Sequence, residues 1–204
     1  MLHLTRHDGP ATSPLLIAHG LFGSARNWGV IARRLADARP VIAVDMRNHG
    51  SSPWFDSHGY PDLAADLAQV LEVEGRADVM GHSMGGKAAM VLALTRPDLV
   101  CRLIVVDIAP VAYGHSQQPQ IDAMRRVDLA QVPSRAAAAA MMQAESPEIA
   151  AFLLQSLDLE ARRWRLNLDV LEREMPGIIG FPAVTGRFGG PALFLSGARS
   201  SYVR

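Results

Sequence analysis

The sequence predicts an α/β fold, a mostly parallel central sheet flanked by helices, and three observations carry that prediction. Short β-type runs alternate with amphipathic helical segments through the first 110 residues, in the succession expected of β-α-β units. The runs are rich in leucine and β-branched residues and do not alternate apolar with polar, as strands buried on both faces of a parallel sheet read. Finally, 204 residues with 49% hydrophobic content are enough for one sizeable core.

Taken in order, the first strong strand is 14–18, ending at His19-Gly20. A helix over 25–38 follows, with Trp28, Ile31, Ala32 and Leu35 on its apolar side. The strand 41–44 runs into the loop Asp45-Met46-Arg47-Asn48-His49-Gly50-Ser51-Ser52. A helix over 61–73 then places Leu63, Leu67, Val70 and Leu71 on one face. The strand 77–80 leads into Gly81-His82-Ser83-Met84-Gly85-Gly86 and directly into a helix over 84–94, with Pro97 just beyond its end. A fourth run, 103–106, ends at Asp107, and a fifth lies at 192–195.

Between the last two runs the rhythm breaks. Residues 111–190 read as helices without intervening strands: 135–145 behind the N-cap Ser134, another behind Ser146-Pro147, and a third over 162–174. The five alanines at 136–140 are simply strong helix former. This divides the chain into a core of residues 1–110 and 191–204 and a helical cap insertion of 111–190.

Composition narrows the functional classes. Lys plus Arg and Asp plus Glu are each 20, so net charge is zero, which argues against a nucleic-acid partner or a polybasic membrane surface. The single cysteine, Cys101, lies in an apolar run and reads as packing, in keeping with a reducing cytoplasm. No stretch resembles a signal peptide or a membrane span, so a cytoplasmic protein is expected. The oligomeric state is left open.

The chemistry sits in two loops. Gly81-His82-Ser83-Met84-Gly85 fits the G-x-S-x-G nucleophile elbow between a strand and a helix, where side chains at the glycine positions would collide with neighbouring elements. It nominates Ser83 as nucleophile. His19-Gly20-Leu21-Phe22-Gly23 ends a buried strand and opens a loop whose N–H groups can face a developing oxyanion. The amides of Leu21 and Met84 are the expected donors, and Phe22 and His82 the expected substrate contacts. No histidine or cysteine pair stands at metal-ligand spacing, so neither metal nor cofactor is expected.

Four ordered motifs, at His19–Ser24, Asp45–Pro53, Gly81–Gly86 and Val106–Pro110, together resemble the YbfF-type esterases of the α/β-hydrolase superfamily. The likeness continues at 163–168 and 191–197. It implies an α/β-hydrolase fold with a small helical cap, acting on short or medium acyl esters or acyl-CoA thioesters through a Ser83 acyl-enzyme. It also takes the triad acid from Asp107, at the end of the fourth run, and an assisting serine from Ser200, with the neighbouring Ser201 as its alternate.

Triad order in such folds is serine, acid, histidine. His115 is the only histidine after Asp107. The resemblance puts the base in a turn beyond residue 204, so the expectation is a C-terminally truncated hydrolase lacking its last strand and helix. Its activity would be impaired and its 192–195 strand exposed as an edge. Arg125, Arg126, Arg162, Arg163 and Arg165 could meet the phosphates of an acyl-CoA, or form a solvated face balanced by Glu160, Glu172 and Glu174. The competing class is a non-catalytic hydrolase-fold binding protein.

Overall fold

The computed structural model describes residues 1–200 and Val203. Strands β1 (His3–His7), β2 (Leu15–Ala18), β3 (Val41–Asp45), β4 (Ala77–His82), β5 (Val100–Val106) and β8 (Ala192–Leu195) form one six-stranded sheet. Its order is β1-β3-β2-β4-β5-β8, parallel throughout except for the antiparallel β1 at one edge. The sequence reading missed β1 because its His-Leu-Thr-Arg-His pattern carries no apolar run, as befits an edge strand.

The lack of alternation in the central strands has a simple cause. Leu16 of β2 faces α2 (Tyr60–Glu74) and α3 (Met84–Thr95), while Leu15 and Ile17 face α1 (Gly29–Ala36) on the other side. All four residues of β2 are buried. Leu63, Leu67 and Leu71 of α2 are at most 1% exposed, so truncating any one to alanine would cost about 2–5 kcal/mol. Ahead of α1, Ala25–Trp28 forms a 3₁₀ turn capped by Ser24, so the helix expected over 25–38 is two pieces.

The insertion between β5 and β8 holds α4 (Gln118–Arg125), α5 (Arg135–Met142), α6 (Pro147–Leu153), β6 (Leu157–Asp158), β7 (Arg163–Trp164), α7 (Leu168–Arg173) and α8 (Met175–Ile179). Ser134 and Ser146 cap α5 and α6, accepting from the amides of Ala137 and Ile149. The helix expected over 162–174 begins only at Leu168. Arg163 and Trp164 instead pair with β6 as a two-stranded ribbon, and the expectation of an insertion without strands is corrected accordingly. The reason is tertiary: buried Trp164 donates its indole N–H to the Met124 carbonyl at 3.1 Å, an anchor that helical periodicity cannot reveal.

Only β5 pairs with β8 among the described residues, leaving β8 at the sheet edge. Leu193, Phe194 and Leu195 are 51%, 52% and 46% exposed, an apolar edge of the kind the sequence reading expected. No helix among the described residues is long and apolar enough to cross a membrane.

Candidate active site

Ser83 follows β4 directly and precedes the first turn of α3, with φ 51° and ψ −120°. A non-glycine residue at positive φ is costly and needs surroundings that enforce it. The flanking glycines make it possible. A Cβ on Gly81 would lie 2.2 Å from the Gly85 carbonyl oxygen, and one on Gly85 would lie 2.5 Å from the carbonyl oxygens of Ala18 and His19. Glycine at both positions lets the elbow close against β2 and present the serine above the sheet.

The loop after β2 forms the facing wall. Phe22 adopts φ 63°, and its N–H donates to His49 Nε2 at 3.2 Å. Its side chain is 3% exposed and packs in the core, and it does not line the cavity. Phe22 is thus withdrawn as a substrate contact: the left-handed turn that exposes its neighbour's backbone drives its own ring inward. The amides of Leu21 and Met84 donate to no partner among the described residues, and both residues line the cavity.

Two buried histidines fix this loop, and a third packs against them. His19 Nδ1–H donates to the Gly20 carbonyl at 2.8 Å while its Nε2 accepts from the Met46 amide at 2.9 Å. His49 Nδ1–H donates to the Arg47 carbonyl at 2.8 Å, leaving Nε2 to accept from Phe22. His58 Nε2 meets the Met84 sulfur at 3.2 Å. The rings follow one another at 5.1 and 5.4 Å. Burial is the main force holding His19 at about 4 and His49 at about 3, so both are neutral, with the acceptor nitrogens these contacts require. His58 had not been singled out from the sequence, because its lone position in a loop carries no motif.

Asp107, at φ 55°, stands at the end of β5. Its carboxylate accepts from the Ser200 hydroxyl at 2.9 Å and from the Gly197 amide at 3.1 Å. Its own N–H donates to the Leu195 carbonyl at 2.7 Å. The turn after β8 therefore grips the carboxylate across 93 residues of sequence. Ser201, the alternate to Ser200, lies outside the described residues.

Ser83, His82 and Asp107 share one cavity of about 520 Å³, within the usual range for small-molecule sites. Trp28 and Ile31 line it from α1 and the turn before it; Tyr113, Phe152, Ile178 and Ile179 line it from the insertion. His82 stands edge-on to Trp28 at 6.0 Å, and burial lowers its pKa. His115 also lines the cavity, with its ring 5.4 Å from that of Tyr113.

None of the five arginines singled out from the sequence lines this cavity. Arg125 pairs with Asp169 and Glu172, each at 2.7 Å, and Arg165 with Asp158 at 2.9 Å. Arg126 donates to the Met142 carbonyl, and Arg162 to those of Leu129, Ala130 and Val132. Four of the five are thereby engaged in holding the insertion together.

The sequence pattern of the alpha/beta hydrolase fold family matches residues 13–199. The chain belongs to the α/β-hydrolase family. This α/β hydrolase is 41% identical over 197 residues to "Esterase YbfF" of Escherichia coli (strain K12), covering 94% of this chain and 76% of that protein. It is 42% identical over 212 residues to the "sn-1-specific diacylglycerol lipase ABHD11" of Mus musculus, covering 97% of this chain and 69% of that protein. Among solved structures, a marine microorganism esterase superposes with TM-score 0.92 at 34% identity, over 100% of this chain and 83% of that one. The protein is an esterase/lipase-type α/β hydrolase.

Proposed function

We propose that this hydrolase cleaves carboxylic esters with uncharged acyl groups through a Ser83 acyl-enzyme, with segment 111–190 acting as a cap over the acyl chain. The observation that carries the reading is the elbow itself. Ser83 is held at positive φ and shares a largely apolar cavity with Leu21 and Met84, whose amides donate to no partner among the described residues. In the reaction, Ser83 Oγ attacks the ester carbonyl as a histidine accepts its proton. The Leu21 and Met84 amides stabilise the oxyanion, the alcohol leaves with that proton, and water then releases the acid.

Asp107 is assigned to orienting the histidine, with the Ser200 hydroxyl and the Gly197 amide steadying its carboxylate. Ser83 hydrogen-bonds no histidine among the described residues. No base is assigned among the described residues, and a form that lacks one is expected to turn over slowly, by up to about six orders of magnitude. The engaged arginines weigh against an acyl-CoA thioester as the preferred substrate, since none of the five lines the cavity and Lys87, which does, is held by three carbonyls.

The test is labelling with a fluorophosphonate, comparing the 204-residue chain, the same chain continued through a further strand and histidine, and Ser83→Ala in each. Labelling that disappears with Ser83→Ala is expected, strongest in the continued form. Labelling that survives the substitution, or none from either folded form, would overturn the assignment and leave a ligand-binding scaffold as the better reading.

A further inference from the structure

Lys87 lies one helical turn beyond Ser83 on α3 and is the chain's single lysine, against 19 arginines. It is 1% exposed. Its ammonium donates to the carbonyl oxygens of Val111 at 2.9 Å, Ile179 at 2.9 Å, and Gly180. Val111 opens the cap insertion, while Ile179 and Gly180 close its last helix, so the two connections between cap and core converge on one cation. Tyr113 and Tyr60 turn their ring faces to it, at 4.7 and 5.8 Å. They also tie the same segments together: the Tyr113 amide donates to the Ile179 carbonyl at 3.0 Å, and the Tyr60 hydroxyl to that of Ile178.

An ammonium offers three donors arranged around a point, and three carbonyls use them all. A guanidinium is a larger, planar head whose five donors are fixed in a fork, whereas the ammonium is a compact point charge that fits among three carbonyls and two ring faces. That is the physical reason for a lysine here in a chain that otherwise uses arginine. Burial lowers its pKa to about 8, the cost of holding a cation on dipoles and ring faces. Lys87, Tyr60, Tyr113, Ile178 and Ile179 all line the cavity that holds Ser83. What Lys87 fixes is therefore the cap-side wall of that cavity.

We propose that Lys87 is the positioning residue that holds both ends of the cap against the nucleophile's helix and so sets the acyl-chain length the cavity accepts. The chain-length part rests on the esterase reading above; the anchoring part does not.

The test compares the full chain with Lys87→Met, which keeps the aliphatic stem and removes the donors. Amide hydrogen exchange in segments 109–115 and 176–182 is expected to rise at least tenfold in the variant, with β4 and β5 unchanged. Unchanged exchange at those segments, or an equal rise throughout the sheet, would overturn the proposal. A measurement on the unaltered chain stands beside it, because only one lysine reports. Acetylation of Lys87 by an N-hydroxysuccinimide ester is expected at least a hundredfold slower than that of the terminal amine, and equal rates would refute the anchoring. In whichever form labels at Ser83, the preference between ethyl and dodecyl fluorophosphonates is expected to change at least fivefold on Lys87→Met; an unchanged preference refutes the role in chain length. Absence of labelling in every form refutes the esterase reading, and the exchange and acetylation results then decide the anchoring alone.

Discussion

Lowering the pH from 7.5 to 5 acts on one buried feature before most carboxylates titrate: the His19, His49 and His58 rings, each at most 1% exposed. Their folded-state values lie at about 4, about 3 and about 2, against 6.5 in an unfolded chain. Because the folded values are depressed, the unfolded chain takes up protons first as pH falls. The stability contributed by neutral rings is complete above about 6.5 and is lost as pH falls toward the folded values. At pH 5 each ring has forfeited about 2 kcal/mol, and the three together about 6 kcal/mol, a large part of a domain's usual 5–15 kcal/mol. Half-buried His82, also depressed, adds to the same trend. Urea denaturation followed by tryptophan fluorescence at pH 7.5, 6.5 and 5 measures it directly. Proton uptake on unfolding at pH 5.5 should approach three. A loss under about 1 kcal/mol by pH 5 would refute the neutral state of these three buried histidines.

Three further outcomes follow from the same geometry. Gly85→Ala forces a Cβ to within 2.5 Å of the Ala18 and His19 carbonyl oxygens, which are backbone and cannot swing away; a loss of about 3 kcal/mol is expected by urea denaturation, with slower Ser83 labelling. His49→Leu strips the Phe22 amide of its acceptor and should cost about 1–3 kcal/mol, read as lower stability and faster exchange at that amide. Phe194→Lys, at an edge position 52% exposed, should reduce self-association in sedimentation velocity without lowering stability, whereas destabilisation would mean the side chain is packed in solution.

Much of the site was legible because its chemistry is local. The elbow around Ser83 and the loop after His19 are contiguous stretches whose glycines answer steric demands one or two residues away. Asp107 and Ser200 were reachable only through family likeness, since nothing local pairs residues so far apart. Phe22 was misjudged as a substrate contact because motif membership does not tell which way a side chain turns at positive φ. Lys87 had a signal, as the chain's one lysine four residues after Ser83, but the sequence does not show which carbonyls converge on it.

The sequence by itself determined the succession of β2 to β5 and the helices between them, since apolar runs buried on two faces and amphipathic helices write their periods directly into the residues. It also nominated Ser83, through glycines that only close backbone contact requires. The tertiary structure alone decided what depends on distant partners. The sheet order set β8 beside β5, and with it the turn that grips Asp107. Indole burial turned an expected helix into the β6–β7 ribbon. Packing of the insertion on α3 spent its arginines on internal contacts and brought three carbonyls to one ammonium. Such contacts carry no period along the chain, because they are formed by segments that meet only once the sheet has assembled.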